Sequence, residues 1–233
     1  MSDPLPRALE ILWEQSSAPT RSRGLSRERI VEAAVALADA DGLAALSMAR
    51  LAERIGCGTM SLYRHVANKD ELVTFMLSTA PGPPPVADAA DWRGALTDWA
   101  FGLWDIYHRH PWVLAAAASG PPADPGQLAW LNAGLAALGP TGLSEREKLA
   151  AVMAMLHYVR GAAALHIEAA QAQGPDYPGL LRRFVDRQRF PALAAALEAG
   201  AFDAVDVDHL ADFRSGLRQI LDGVGARMTA QSK

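Results

Sequence analysis

Residues 47–65 read SMARLAERIGCGTMSLYRH, which is the most informative segment of the chain. Ser47 is a favourable N-cap for a short helix over Met48–Ile55, whose apolar residues recur at helical spacing, and Gly56 ends it. A second short helix is predicted over 59–65. Two short helices joined by a tight glycine-containing turn form the helix-turn-helix unit, whose second helix enters the major groove of DNA. The stretch therefore predicts a DNA-reading element.

The second helix of this unit supplies polar side chains that can reach bases or phosphates. The residues that we expect to do so are Thr59, Ser61, Arg64 and His65. Leu62 and Val66 should hold the helix to its own domain. Alternatives stay open for single residues, because Tyr63 can be a core residue, Arg64 a solvated charge and His65 a helix cap.

Helices are also predicted on both sides of this unit. Ser26 caps a helix whose apolar residues keep helical spacing as far as Gly42. A fourth helix spans Lys69–Thr79, and the proline-rich segment 81–85 ends the run. We therefore place a DNA-binding domain at residues 25–80, with its last helix mechanically shared with the domain that follows.

The first 24 residues are predicted to form a flexible extension. A short helix is possible around 8–13, and the polar, proline-containing segment 16–20 separates it from Arg21 and Arg23. Flexible basic arms enter the minor groove of DNA or add counterion release. Arg21 and Arg23 are therefore candidates for DNA binding.

Charge is distributed unevenly along the 233 residues. The whole chain has a net charge of −4 and a pI near 5.9, which excludes a uniformly basic nucleic-acid-binding protein. Residues 15–69, in contrast, carry eight cations against five anions. The single cysteine, Cys57, excludes an internal disulfide. We find no uninterrupted run of 18 apolar residues and no signal-peptide pattern, so we expect a cytoplasmic protein.

The rest of the chain, 81–233, is predicted to be helical without strands. The fold class is then all-α, with an N-terminal three-helix domain containing the helix-turn-helix and a larger helical domain for ligand binding and dimerisation. The predicted helices are 91–110, 112–118, 127–138, 144–173, 180–189, 192–199 and 207–228. Small residues such as Gly161 and Gly216 in the longest helices allow close packing between two subunits. The alternative is that they pack within one subunit.

Aromatic and polar residues are mixed in this larger domain. Such a mixture suits an apolar cavity with a few orienting polar groups, the usual make-up of a small-molecule site. The candidates for ligand contacts are Trp104, His108, Trp112, Met153 and His157. The alternative is that each is a core residue. We expect an occupied cavity to shift the fourth helix, so that ligand and DNA bind antagonistically.

Residues 25–78 closely resemble the DNA-binding domain of the TetR family of transcriptional regulators. The segments that carry the resemblance are Leu62-Tyr63-Arg64-His65 and Lys69-Asp70-Glu71-Leu72. The larger domain has a weaker likeness to the tetracycline-repressor branch, in Tyr107-His108-Arg109-His110-Pro111-Trp112 and Tyr158-Val159-Arg160-Gly161. The resemblance implies a homodimeric repressor that a small molecule releases from a palindromic operator in double-stranded DNA. The positions that it implies for DNA contact are Thr59, Met60, Ser61, Tyr63 and His65. It also implies that Lys69 contacts a phosphate and that Ser47 caps its helix against the DNA backbone.

The sequence contains none of the common enzyme motifs that we considered as alternatives. It contains no His-Glu-X-X-His, no Gly-X-Ser-X-Gly and no phosphate-binding glycine loop, and His108 and His110 would lie on different faces of a helix. We therefore expect no catalytic residue, no metal and no cofactor. The remaining alternative is a helical small-molecule-binding or scaffold protein without operator binding, against which Ser47, Tyr63 and Lys69 argue. An activator in place of a repressor also fits the sequence.

Overall fold

The computed structural model describes residues 6–14, 25–86, 88, 90–118, 120–171, 176–202 and 210–231. Within these ranges the chain forms twelve α-helices and no strand, which confirms the predicted all-α class. The helices are α1 Arg7–Glu14, α2 Arg27–Asp41, α3 Met48–Ile55, α4 Thr59–Tyr63, α5 Lys69–Thr79, α6 Trp92–Arg109, α7 Trp112–Ala116, α8 Pro125–Ala137, α9 Glu145–Gln171, α10 Tyr177–Phe184, α11 Pro191–Glu198 and α12 Ala211–Gln231.

Local capping signals define three helices of the N-terminal domain, α2, α3 and α5. The Ser26 hydroxyl accepts the N–H of Arg29 at 3.4 Å, and the Ser47 hydroxyl accepts the N–H of Arg50 at 3.2 Å. Gly56 ends α3 at φ +77°, a left-handed conformation that favours glycine. These caps satisfy backbone groups that the helix ends leave unpaired, so the helix bounds follow the sequence closely.

Helix α4 is shorter than predicted. The predicted helix spans 59–65, but the structure ends it at Tyr63, because the carbonyl of Leu62 accepts the N–H groups of both His65 and Val66 in a closing turn. The chain then reverses into α5, which the Asn68 side chain caps. Leu62 and Val66 are fully buried, as predicted, and so anchor the short helix to its domain.

The C-terminal domain is a helical bundle organised around α9. This helix packs against α6, α8 and α12, and their apolar residues continue the core of the N-terminal domain without interruption. Ser144 and Glu147 form a capping box at its start, since the Glu147 carboxylate accepts the Ser144 N–H at 3.0 Å. By length and composition alone, helix α9 is also long and apolar enough to cross a membrane. It is instead a partly buried core helix of the bundle, with one face left exposed.

The N-terminal extension differs from the prediction where the structure describes it. Residues 7–14 form α1, which packs against α5 rather than lying free. Arg7 donates to both carboxylate oxygens of Glu71 at 2.9 and 3.0 Å, and the Trp13 indole donates to the carbonyl of Ala123 at 3.2 Å. Helix α1 therefore bridges the two domains. Arg21 and Arg23 lie outside the described residues.

Candidate nucleic-acid interface and internal cavity

Helix α4 presents large side chains to solvent that the core does not use. Met60 is 77 % exposed and Tyr63 is 45 % exposed, whereas Leu62 between them is fully buried. Exposed large apolar side chains that lie together on one short helix are typical of a contact surface. Tyr63 is therefore not the core residue that one alternative allowed. Arg64 is exposed, while Thr59, Ser61 and His65 are half-buried on the same helix and its closing turn.

Polar groups surround this surface at the ends of the neighbouring helices. The Lys69 ammonium donates to the carbonyl of Leu43 at 3.2 Å, in the turn that precedes the exposed Ser47. Arg50 holds the same turn, pairing with Asp41 at 2.8 Å. The Arg64 guanidinium lies 3.4 Å from the Ser61 hydroxyl. The structure thus brings the predicted DNA-facing residues 47, 59–65 and 69 onto the α3–α5 region of one domain.

A cavity of about 310 Å³ lies inside the C-terminal domain, between α6, α7, α8 and α9. Its walls are mostly apolar, and its aromatic faces come from Trp99, Tyr107 and Trp130. The two indole N–H groups are already used, since Trp99 donates to the carbonyl of Trp130 at 2.7 Å and Trp130 donates to the carbonyl of Gly82 at 2.9 Å. These indoles therefore offer ring surface rather than hydrogen-bond donors.

Two of the five predicted ligand residues line this cavity, and three do not. Met153 and His157 line it, with the exposed His157 at its mouth. The other three predicted residues contact other parts of the structure. Trp104 stacks on Phe213 of α12 at 4.3 Å between ring centroids, and His108 pairs with His166 at 2.8 Å. Trp112 points away from the cavity to the N-terminal domain.

Several other residues of the cavity wall were not among the predicted ligand contacts. These are Trp99, Tyr107, Gln127, Trp130 and Arg160. Helical spacing shows that Trp99 and Trp104 cannot share one narrow face of α6, but it does not say which face meets the cavity. Burial raises the pKa of the Tyr107 phenol, and the nearby Arg160 guanidinium opposes that shift. A phenol and a guanidinium are therefore both part of the cavity wall.

Polar contacts tie the cavity to the DNA-binding domain at two points. Trp112, at the start of α7, and His110 both approach the same Asp39 oxygen of α2, at 2.7 and 2.8 Å. The N–H of Gly126 in α8 donates to the Ser78 hydroxyl of α5 at 3.2 Å. Both α7 and α8 also contribute cavity residues. A change in the cavity wall can therefore reach α2 and α5 through direct contacts.

Similarity to known proteins agrees with this arrangement in both domains. Residues 30–74 match the family described as bacterial regulatory proteins, tetR family, and residues 84–228 match the tetracyclin repressor-like C-terminal domain. The chain is 36 % identical to the HTH-type transcriptional repressor DrrR1 of Streptomyces coeruleorubidus over 96 % of this chain and 86 % of that protein.

Solved structures share the fold. The apo form of ActR from Streptomyces coelicolor superposes with a TM-score of 0.76 at 24 % identity, covering 91 % of this chain and 100 % of that one. ActR in complex with actinorhodin gives a TM-score of 0.75 at 23 % identity, covering 88 % and 99 %. From the two family matches and the identity to DrrR1, we conclude that the chain belongs to the TetR family of helix-turn-helix transcriptional regulators, DNA-binding proteins rather than enzymes.

Proposed function

We propose that the protein is a cytoplasmic, homodimeric repressor that leaves a palindromic operator when a small molecule fills the internal cavity. The observation that carries this proposal is the surface of α4, where Met60 and Tyr63 are exposed while Leu62 is buried. A surface of this kind on the second helix of a helix-turn-helix unit suits direct contact with base edges in the major groove. The repressor DrrR1 is a relative that aligns with this chain over most of its length.

The proposed DNA contacts divide into two groups by chemistry. Thr59, Met60, Ser61, Tyr63 and His65 face the bases, and Tyr63 and Met60 offer apolar surface for thymine methyl groups. Ser47, Arg64 and Lys69, with the arm residues Arg21 and Arg23, contact phosphates. Phosphate contacts set the position of the protein on the duplex, and base contacts select the sequence.

The exposed face of α9 supports the homodimer. The exposed residues along one side of this helix are small or apolar except for His157 at its middle: the others are Ala150, Ala154, Gly161 and Leu165. Leu165 is 69 % exposed. A lone chain would leave this stripe in water, whereas a second copy of α9, flanked by α12, would cover it. Two-fold symmetry would then place two copies of α4 on successive major grooves.

The contacts of α7 and α8 support ligand control. Arg160 in the cavity wall donates to the carbonyls of Leu114 and Ala117, at the end of α7, and Trp112 at the other end binds Asp39. A ligand that engages Arg160 would loosen α7 and thereby move α2. The Gly126–Ser78 contact gives a parallel route from α8 to α5. Both routes change the position of the reading helix, so ligand and DNA would bind antagonistically.

Selection of duplexes from a random library tests this function, because such a library contains the operator whatever its sequence. We expect the wild-type protein to enrich a sequence with two-fold symmetry, and the M60A/Y63A double variant to lose most affinity for it at unchanged thermal stability. Asp105→Ala, an exposed change on α6, is the matched control. Enrichment of no sequence, or equal binding by the double variant, would refute the proposed reading surface.

A further inference from the structure

We propose that the effector is a planar aromatic molecule with a carboxylate or comparably acidic group, which pairs with Arg160 while the rings lie against Trp99 and Trp130. This inference rests on the proposed function, since it names the ligand class of the same cavity. Three features of the wall carry it: a cation with no acidic side chain among the described lining residues, two indole faces and a limited volume.

The charge of the wall favours an anion. Among the described residues that line the cavity, Arg160 is a cation and none is an aspartate or glutamate. The hydrogen bonds of its guanidinium within the described chain go to the carbonyls of Leu114 and Ala117, which are neutral acceptors. A guanidinium has five donors, so several remain for a ligand. Partial burial of a cation is unfavourable, and a ligand carboxylate would offset that cost through charge-assisted hydrogen bonds.

The wall also contains a second donor. The Tyr107 hydroxyl belongs to a buried side chain of the same wall and interacts electrostatically with Arg160. It remains a donor at neutral pH, because burial raises the pKa of the phenol and so disfavours the phenolate. The phenol and the guanidinium both donate hydrogen bonds, so together they suit a ligand group with two acceptor oxygens. The N–H donors of an ammonium or amide group would be poorly paired with them.

The remaining wall selects a flat apolar body. The indoles of Trp99 and Trp130 have their N–H groups occupied by carbonyls, so they can offer only ring faces to a ligand. Ring faces favour offset stacking or edge contacts with other aromatic rings. The volume of about 310 Å³ lies at the small end of the range of ligand sites. Two or three fused rings with one acidic substituent fit this description.

A pair of probes tests the proposal on the wild-type protein. Anthraquinone-2-carboxylate and anthraquinone-2-carboxamide have nearly the same shape and differ in charge. We expect isothermal titration calorimetry to show that the carboxylate binds about tenfold or more tightly, as charge-assisted hydrogen bonds predict. In R160Q the two probes should bind equally. Arg146→Gln, an exposed arginine on the same helix, should keep the preference and is the matched control.

The outcomes separate this inference from the proposed function. Equal affinity of the wild type for both probes, no binding of either at millimolar concentration, or a preference that survives in a folded R160Q variant would overturn the ligand class. Operator affinity is measured separately, in gel shifts with the selected duplex. If the carboxylate binds through Arg160 but leaves operator affinity unchanged, the ligand class stands and the proposed ligand-controlled release is wrong.

Discussion

Trp112 donates its indole N–H to Asp39 across the boundary between the two domains, with 2.7 Å between Nε1 and Oδ1. Trp112 is 4 % exposed and the Asp39 side chain is 29 % exposed, so the indole is shielded from water while the carboxylate is partly accessible. A charged acceptor makes this bond stronger than a neutral pair would. Because Trp112 begins α7 and Asp39 lies in the last turn of α2, the bond fixes the orientation of the DNA-binding domain on the ligand-binding domain.

Removal of this bond should destabilise the protein. We expect Asp39→Ala to lower the free energy of unfolding by about 1–3 kcal/mol, because a buried indole N–H loses its acceptor. The W112F variant removes the donor instead, and the D39A/W112F double variant should be less destabilised than the sum of the single changes. Urea unfolding of all four proteins measures the coupling. Strictly additive changes would show that the two residues do not interact.

The docked N-terminal helix makes a second stability prediction. Glu71 is 7 % exposed, and Arg7 is its cationic partner. We expect Arg7→Ala to cost about 1 kcal/mol, since the Arg7 side chain is itself more than half exposed and solvent screens the pair. Glu10→Ala changes an exposed charge on the same helix and should be close to neutral. Equal unfolding midpoints for the two variants would mean that α1 is not held by Arg7.

The parts of the fold that the sequence predicts well are those set by local signals. Ser26, Ser47 and Asn68 cap helices through contacts three residues away, and Gly56 adopts a conformation that other residues disfavour. Such signals do not depend on residues far along the chain. They explain why the bounds of α3 and α5 agree with the prediction.

Contacts between distant residues explain the differences. Arg7 and Glu71 lie 64 positions apart, so no local pattern shows that α1 packs on α5. In the same way, Trp104 and Trp99 are both aromatic residues of α6, and only the arrangement of α8, α9 and α12 decides that Trp99 meets the cavity while Trp104 stacks on Phe213. The aromatic and polar composition of the domain predicts that it contains a cavity. The packing of the helices decides which of these residues line it.

The raised pKa of Tyr107 predicts a loss of stability in alkali. The phenol stays protonated in the folded chain at a pH where an ordinary tyrosine, with a pKa of 10.0, ionises in the unfolded chain. The unfolded state therefore binds fewer protons above pH 10, and the free energy of unfolding falls as pH rises through that region. We expect Y107F to lose less stability than the wild type between pH 10 and 11, with Tyr177→Phe as the control. Parallel pH profiles of Y107F and the wild type would contradict this.

The basic arm predicts a salt effect. Each phosphate contact contributes roughly −0.9 to the slope of log affinity against log salt, so the R21A/R23A double variant should have a slope shallower by up to about 2. Fluorescence anisotropy with the selected operator at several salt concentrations measures it. Sequence preference should be unchanged, because phosphate contacts do not select bases. An unchanged slope would remove the arm from the DNA-binding surface.

The number of chains on one operator shows whether two copies of α4 reach one duplex together. Sedimentation velocity of the complex with the selected duplex should give an even number of 24.8-kDa chains, and a duplex carrying one half-site should bind far more weakly. Leu165→Glu should shift the free protein towards the monomer, while Val86→Glu, at another exposed apolar residue, should not. A single wild-type chain on each duplex, with equal affinity for the half-site and the full operator, would contradict the account.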